Sequence, residues 1–252
     1  MIGLFRSHLE SIQHPILRRL VLANFISLTG DAATLIALPL LVYQVTQSFS
    51  QVALTLTAQV AGTIFGAQFL HPKIKIHPRL LAQIADISQG LLILLIVGLS
   101  FLPGFEYTVL IATFVSAIVL SFHRNSEQVI IKEAVESSGK GHSIHFNALY
   151  ELSTYLGRTC GPLLVGLIFL WGSVRHALVF DAMTFFLSAH ILGRIQFHHD
   201  FSSKKQSLRI TLREYPRAQL LLYLGVPFII QTALSLYSAT VVIHLTKVLE
   251  TK

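Results

Sequence analysis

The sequence predicts an all-α integral membrane protein, on three observations. Apolar residues make up 53% of the 252-residue chain and charged residues only 12%. A soluble domain carries roughly twice that charge. The mean hydropathy is +0.65. Third, apolar runs long enough to span a bilayer recur along the chain, each needing about 20 residues to cross about 30 Å of hydrocarbon.

Residues 1–19 alternate apolar side chains with Arg6, His8, Glu10, Arg18 and Arg19. This composition suits a cytoplasmic amphipathic segment lying at the interface. Apolar runs follow at 20–44, 52–70, 80–102, 108–122, 146–170, 174–193 and 218–245. The second and fourth are short for a span. No window alternates with period two, so a membrane β-barrel is not expected. The expected organisation is therefore a six-helix bundle over 20–193, a basic linker over 194–217, and a seventh helix with a short tail over 218–252.

The connections fall into two kinds. Residues 45–51, 103–107 and 171–176 read as tight turns, whereas 71–79, 123–145 and 194–217 are longer and basic. Fifteen of the 19 Lys and Arg residues lie in the N-terminal segment and these three long connections. The positive-inside rule then places the N-terminus and the long connections in the cytoplasm, and seven spans put the C-terminus outside. The formal charge of +7 is thus topological and not a nucleic-acid footprint, which needs a basic face on a soluble scaffold. Cys160 is the single cysteine, so an internal disulfide and a CxxC site are excluded.

Ionisable groups inside apolar runs are costly, by about 2.5–3.5 kcal/mol on insertion scales, and are kept for function or paired. Asp31, in the middle of the first run, is a candidate proton or cation site facing a central cavity. Its structural alternative is a carboxylate hydrogen-bonded to a neighbouring helix. Glu151 and Arg158 share one face of the fifth run, two turns apart and about 10 Å along the axis. They are candidate cavity or charge-pair residues, or packing glue between helices. Asp181 opens the apolar part of the sixth run, near its outer end, where a structural role with the helix dipole is the favoured reading. Gly157, Gly161, Pro162 and Gly166 form G-x3-G-P-x3-G. Small residues four apart let helix backbones approach, and the proline bends the helix, which suits a seal or pivot between two bundles.

The twelve histidines show no metal-ligand spacing. Those in the connections, His123 among them, read as solvated. No nucleophile elbow, HExxH or P-loop occurs, so neither enzyme chemistry nor a metal or other cofactor is expected. A seven-helix receptor is disfavoured by the cytoplasmic N-terminus.

Several of these stretches resemble one family. Asn24-Phe25-Ile26-Ser27-Leu28-Thr29-Gly30-Asp31, followed by Ala37-Leu38-Pro39-Leu40, is similar to the first helix of major facilitator superfamily exporters of the macrolide-efflux and enterobactin-exporter type. Asn147-Ala148-Leu149 with Arg158 and Gly161-Pro162 resembles the fifth helix, where G-x3-G-P is a motif of drug:proton antiporters. Phe180-Asp181-Ala182-Met183-Thr184-Phe185-Phe186 resembles the sixth. One departure is the loop between helices two and three. The stretch Gly66 to Arg79 keeps the family's positive charge there but lacks its Asp-Arg pair. The resemblance implies a secondary exporter of a small amphipathic compound in the bacterial inner membrane, coupled to protons through Asp31. Such transporters have two six-helix halves, whereas one apolar run follows the linker here. The expectation is therefore a first half plus one helix. It would work with a missing second half or a second copy, or stand as a non-transporting half-unit.

Overall fold

The computed structural model describes residues 15–70, 76–138 and 143–195. These belong to the first of two compact units, Met1–Gln196. The predicted seventh span, most of the linker and residues 1–14 lie outside the described residues. The described part consists of helices α1 Pro15–Thr46, α2 Phe49–Phe65, α3 Pro78–Leu99, α4 Phe105–Ser138, α5 Ser143–Trp171 and α6 Val174–Gly193. A π-helical turn, Gly66–Leu70, extends α2. All but α2 are individually long and apolar enough to cross a membrane. With its π turn, the α2 segment also approaches the length of a span.

Local chemistry sets the helix ends. The Ser48 hydroxyl accepts from the Gln51 N–H and caps α2, in a turn where Gln47 takes a left-handed φ of 51°. Pro78 sits at the start of α3, where its missing N–H costs nothing. Ser173 and His176 form a reciprocal capping box on α6. Gly104, at φ 79°, turns the chain between α3 and α4.

The tight-turn prediction corresponds to one end of the bundle, here the turn end. The other, the open end, carries the longer connections. One of these differs from expectation. Residues 123–145 were expected to be a basic loop, yet α4 continues through Ser138 and α5 starts at Ser143. Hydropathy falls at His123 and Arg124, but helix propensity does not. The stretch from Ser126 to Glu136 holds no Gly or Pro, and Ile130 and Ala134 on one face are fully buried. At 34 residues, α4 is about 50 Å long, more than the hydrocarbon requires.

Helix packing reveals an internal repeat. The extensive pairs are α1–α5, α1–α6, α3–α6, α3–α4 and α2–α4. Exchanging α1, α2, α3 for α4, α5, α6 leaves this set unchanged. Because α1 and α4 run in opposite directions, the two triplets are inverted repeats. Side-chain detail follows the same exchange. On α5, Gly157 and Gly161 meet α1. A methyl at Gly161 would lie 2.5 Å from Ala32 Cβ and 2.6 Å from the Thr29 carbonyl oxygen. On α2, Gly62 and Gly66 meet α4 at Phe114, Ala117 and Ile118 in the same way. Each pair is a G-x3-G step that lets two backbones close.

The α3–α6 pair is clamped at both ends by repeat-related arginines. Arg79, second residue of α3, donates to the Gly193 carbonyl at the end of α6 at 2.6 Å. Arg175, second residue of α6, donates to Ser100 Oγ at the C-cap of α3 at 2.9 Å. Arg175 also lies 4.3 Å over the Phe101 ring. A cation on a helix C-terminus satisfies open carbonyls and the dipole. Arg79→Ala is expected to remove about 1–2 kcal/mol. In detergent-solubilised protein this should appear as a melting point lower by a few degrees.

The dry core lies in the turn-end half, where Ala33, Ala37, Leu41, Ile93, Val109 and Leu178 pack together. The outer surface is apolar, with Leu35, Leu91, Ile111 and Leu163 exposed, as lipid demands. Phe101, Tyr107 and Trp171 stand exposed around the turn end, where interfacial aromatics anchor a bundle.

Candidate functional site

Below the dry core, toward the open end, the interior becomes polar. Among the described residues two carboxylates are fully buried, Asp86 toward the open end of α3 and Asp181 toward the turn end of α6. They occupy related places in the repeat, each about two turns in from the start of its helix. Each faces the first helix of the other triplet. Asp181 meets α1: Thr34 Oγ1 donates to its Oδ2 at 2.5 Å, and Thr184 Oγ1 lies 3.3 Å from its Oδ1. Gly30 is beside it, where any Cβ would strike Thr184 and Asp181.

Asp86 meets α4. His123 Nδ1 stands 2.6 Å from its Oδ1, an ion-pair distance without the alignment of a hydrogen bond. His123 is 5% exposed, so the expectation of a solvated loop histidine is corrected. The extension of α4 carries it inside the bundle, against an acid. The other ring nitrogen, Nε2, is 3.7 Å from Glu127 Oε2, one turn further along α4. The Tyr150 hydroxyl of α5 hydrogen-bonds the Glu127 carboxylate.

Asp31 lies between these two arrangements. Its Oδ2 is 3.7 Å from an Arg124 guanidinium nitrogen, with side-chain exposures of 19% and 57%. It also lies within electrostatic reach of His123, Asp86 and Asp181. The structure therefore gathers Asp31, Asp86, His123, Arg124, Glu127, Tyr150 and Asp181 from five helices. Asp181 is fully buried against α1, about two turns in from the turn end of α6.

The remaining sequence candidates stand apart. Glu151 and Arg158 are exposed on α5, outside this cluster. Gly157 and Gly161 serve the α1–α5 contact within the bundle, Pro162 is exposed, and Gly166 has open space around it. Asn24 reinforces the α1–α5 contact, donating to Ser153 Oγ at 2.8 Å and Thr154 Oγ1 at 2.9 Å. Among the described residues, no group of His, Cys, Asp and Glu has the geometry of a metal site.

Sequence reasoning missed Asp86, His123, Arg124, Glu127 and Tyr150. Asp86 had a signal: it is a carboxylate within an apolar run, as Asp31 is. The α4 residues had a weaker one, the apolar positions Ile130 and Ala134 continuing a helical face past the first charges.

Comparison with known proteins agrees with this architecture. Two curated relatives, each described as "Putative bacilysin exporter BacE", come from Bacillus amyloliquefaciens and Bacillus subtilis. Each is 30% identical over 114 residues, which is 45% of this chain and 28% of the relative's length. No solved structure matches at a significant level. The description "Major Facilitator Superfamily" matches residues 20–250. Matched over nearly its whole length and folded into two inverted helix triplets, the chain belongs to the Major Facilitator Superfamily.

Proposed function

We propose that this chain takes part in proton-coupled export of a small amphipathic compound across the bacterial inner membrane. In this reading Asp31 is the coupling carboxyl and Arg124 its partner. The observation that carries it is the Asp31–Arg124 pair, 3.7 Å apart and partly open, set among carboxyl groups that are fully buried. Protonation of Asp31 removes the charge that holds Arg124. The freed guanidinium then favours a different arrangement of α1 against α4. The two helices make only a small direct contact, so they can move without breaking the core. The exporter description of the relatives supports the direction of transport.

Transporters of this kind place the substrate between two bundles. The reading therefore includes a second set of helices facing this one. Inverted membrane vesicles carrying the full chain should accumulate an amphipathic dye such as ethidium under an imposed pH gradient. A protonophore should abolish the uptake. Dye uptake that ignores the gradient, or none even with a companion half present, overturns the reading.

The proposed orientation has its own test. In a Cys160→Ser background, Phe101→Cys at the turn end should react with an impermeant thiol reagent added to intact cells. His77→Cys at the open end should react only after permeabilisation. The reverse pattern would invert the topology.

A further inference from the structure

The two buried carboxylates occupy related places in the inverted repeat, yet their chemistry differs. Asp181 faces the hydroxyls of Thr34 and Thr184. These are donors that keep their protons at any ordinary pH. Asp86 faces an imidazole, the side chain best suited to take and give a proton near neutrality. Beyond the imidazole stand a second carboxyl, Glu127, and the phenol of Tyr150, in sequence toward the open end.

The ionisable groups around His123 come from several helices. Asp86 comes from α3, Asp31 from α1, and Arg124 and Glu127 from α4 itself. Tyr150 comes from α5, where the charge of the exposed Glu151 also acts on it. Helix α2 contributes no ionisable residue. Asp181 on α6 interacts with Asp31 and Asp86. Four carboxyls of this set, Asp31, Asp86, Glu127 and Asp181, thus share one guanidinium and one imidazole. A buried excess of acids over bases is met by bound protons.

We propose that Glu127, His123 and Asp86 form a proton relay, with Tyr150 at its outer end, that leads from the open end of the bundle to the surroundings of Asp31. It rests on the proton-coupled reading above and adds a route along which protons pass, in either direction, between the open end and Asp31. The step balances as a tautomer exchange. A proton passes from the Glu127 carboxyl to His123 Nε2 while the Nδ1 proton passes to the Asp86 carboxylate. Glu127 ends as carboxylate, Asp86 as neutral acid, and the imidazole stays neutral with its proton on the other nitrogen. The Nδ1–Asp86 separation is already 2.6 Å and needs only alignment. The Nε2–Glu127 separation of 3.7 Å must close by about 0.7 Å to reach hydrogen-bond length, or be bridged by one water. Loading Asp86 removes a negative charge that acts on Asp31 and so links relay to coupling pair.

The relay can be tested without transport. Infrared pH titration of the purified full chain follows protonated-carboxyl bands directly. Asp86→Asn should delete one such band. His123→Gln should shift that band in frequency, because the group 2.6 Å from the Asp86 carboxyl changes, and Asp31→Asn should leave the band present. Glu127→Gln, at the less buried end, provides a variant with a milder demand on folding and should slow the proton-exchange phase after a pH jump at least about tenfold. All bands retained in Asp86→Asn, or an unshifted band in His123→Gln together with unchanged exchange in Glu127→Gln, overturns the relay. Failure of the export reading would appear separately, as absent dye uptake by the wild-type chain.

Discussion

Asp31→Asn is expected to abolish pH-gradient-driven efflux while the protein still inserts and folds. Asparagine keeps the shape and can still accept a hydrogen bond from Arg124, but it binds no proton at any working pH. The cycle therefore loses its titrating step. The cost in stability should be small. The pair is separated by 3.7 Å, and Arg124 is 57% exposed at its side chain. At that exposure an ion pair contributes at most about 1 kcal/mol. Removing one partner also leaves the guanidinium room to be solvated. The informative measurement combines efflux with membrane abundance and melting point in one variant. Efflux should fall to the level of empty vesicles, with abundance unchanged and the melting point within a few degrees. Unchanged gradient-driven efflux would exclude Asp31 as the coupling group. A loss of abundance in step with efflux would show a structural carboxylate instead.

The largest expected structural effect is at the α1–α5 contact. Gly161→Leu should prevent assembly of the bundle. Even a methyl there would meet Ala32 Cβ at 2.5 Å and the Thr29 carbonyl oxygen at 2.6 Å. One of these is backbone, which cannot rotate away. The two helices would have to separate, losing the three-way bonding of Asn24, Ser153 and Thr154. The penalty is at the upper end of overpacking costs, about 3 kcal/mol or more. Gly157→Leu, facing the Phe25 carbonyl oxygen at 2.9 Å, should behave similarly. Gly166→Leu is the control: nothing lies within 4 Å of a Cβ there, so the variant should fold. Equal loss of monodisperse protein in all three would mean that small residues matter on α5 for another reason, such as insertion. Tolerance at Gly161 would mean the helices do not approach this closely.

These two predictions differ in how far the sequence leads to them. Asp31 stood out because a carboxylate in an apolar run breaks the rule for its surroundings. Its partner did not stand out. Arg124 appeared to be a loop cation and His123 a solvated histidine, since hydropathy ends the fourth run before them. Hydropathy reports the solvent that a segment prefers, not where a helix stops. The helix-forming stretch beyond them keeps both residues on α4, with His123 buried against Asp86 and Arg124 partly open beside Asp31. For the glycines the situation is reversed. The motif Gly157, Gly161, Pro162, Gly166 was visible as a whole, but only its first two glycines press against a neighbour. The repeat-related step on α2, Gly62 and Gly66, has the same spacing and gave no cue of its own, because G-x3-G is common in membrane helices.

The sequence by itself determined the class of the protein. Low charge and recurring apolar runs require helices in lipid, since an apolar solvent leaves every backbone polar group to be satisfied within its own segment. It also determined which ends of the runs are tight and which residues, Asp31 and Asp181, are costly to bury. Tertiary structure alone decided what those costs are offset by. The partner of each buried charge sits on another helix, and which helices meet is set by close approach at small residues and by the inverted pairing of two triplets. Those are relations between distant parts of the chain. No local window contains both Asp86 and His123, so only the packed bundle shows that an acid, an imidazole and a second acid lie in line.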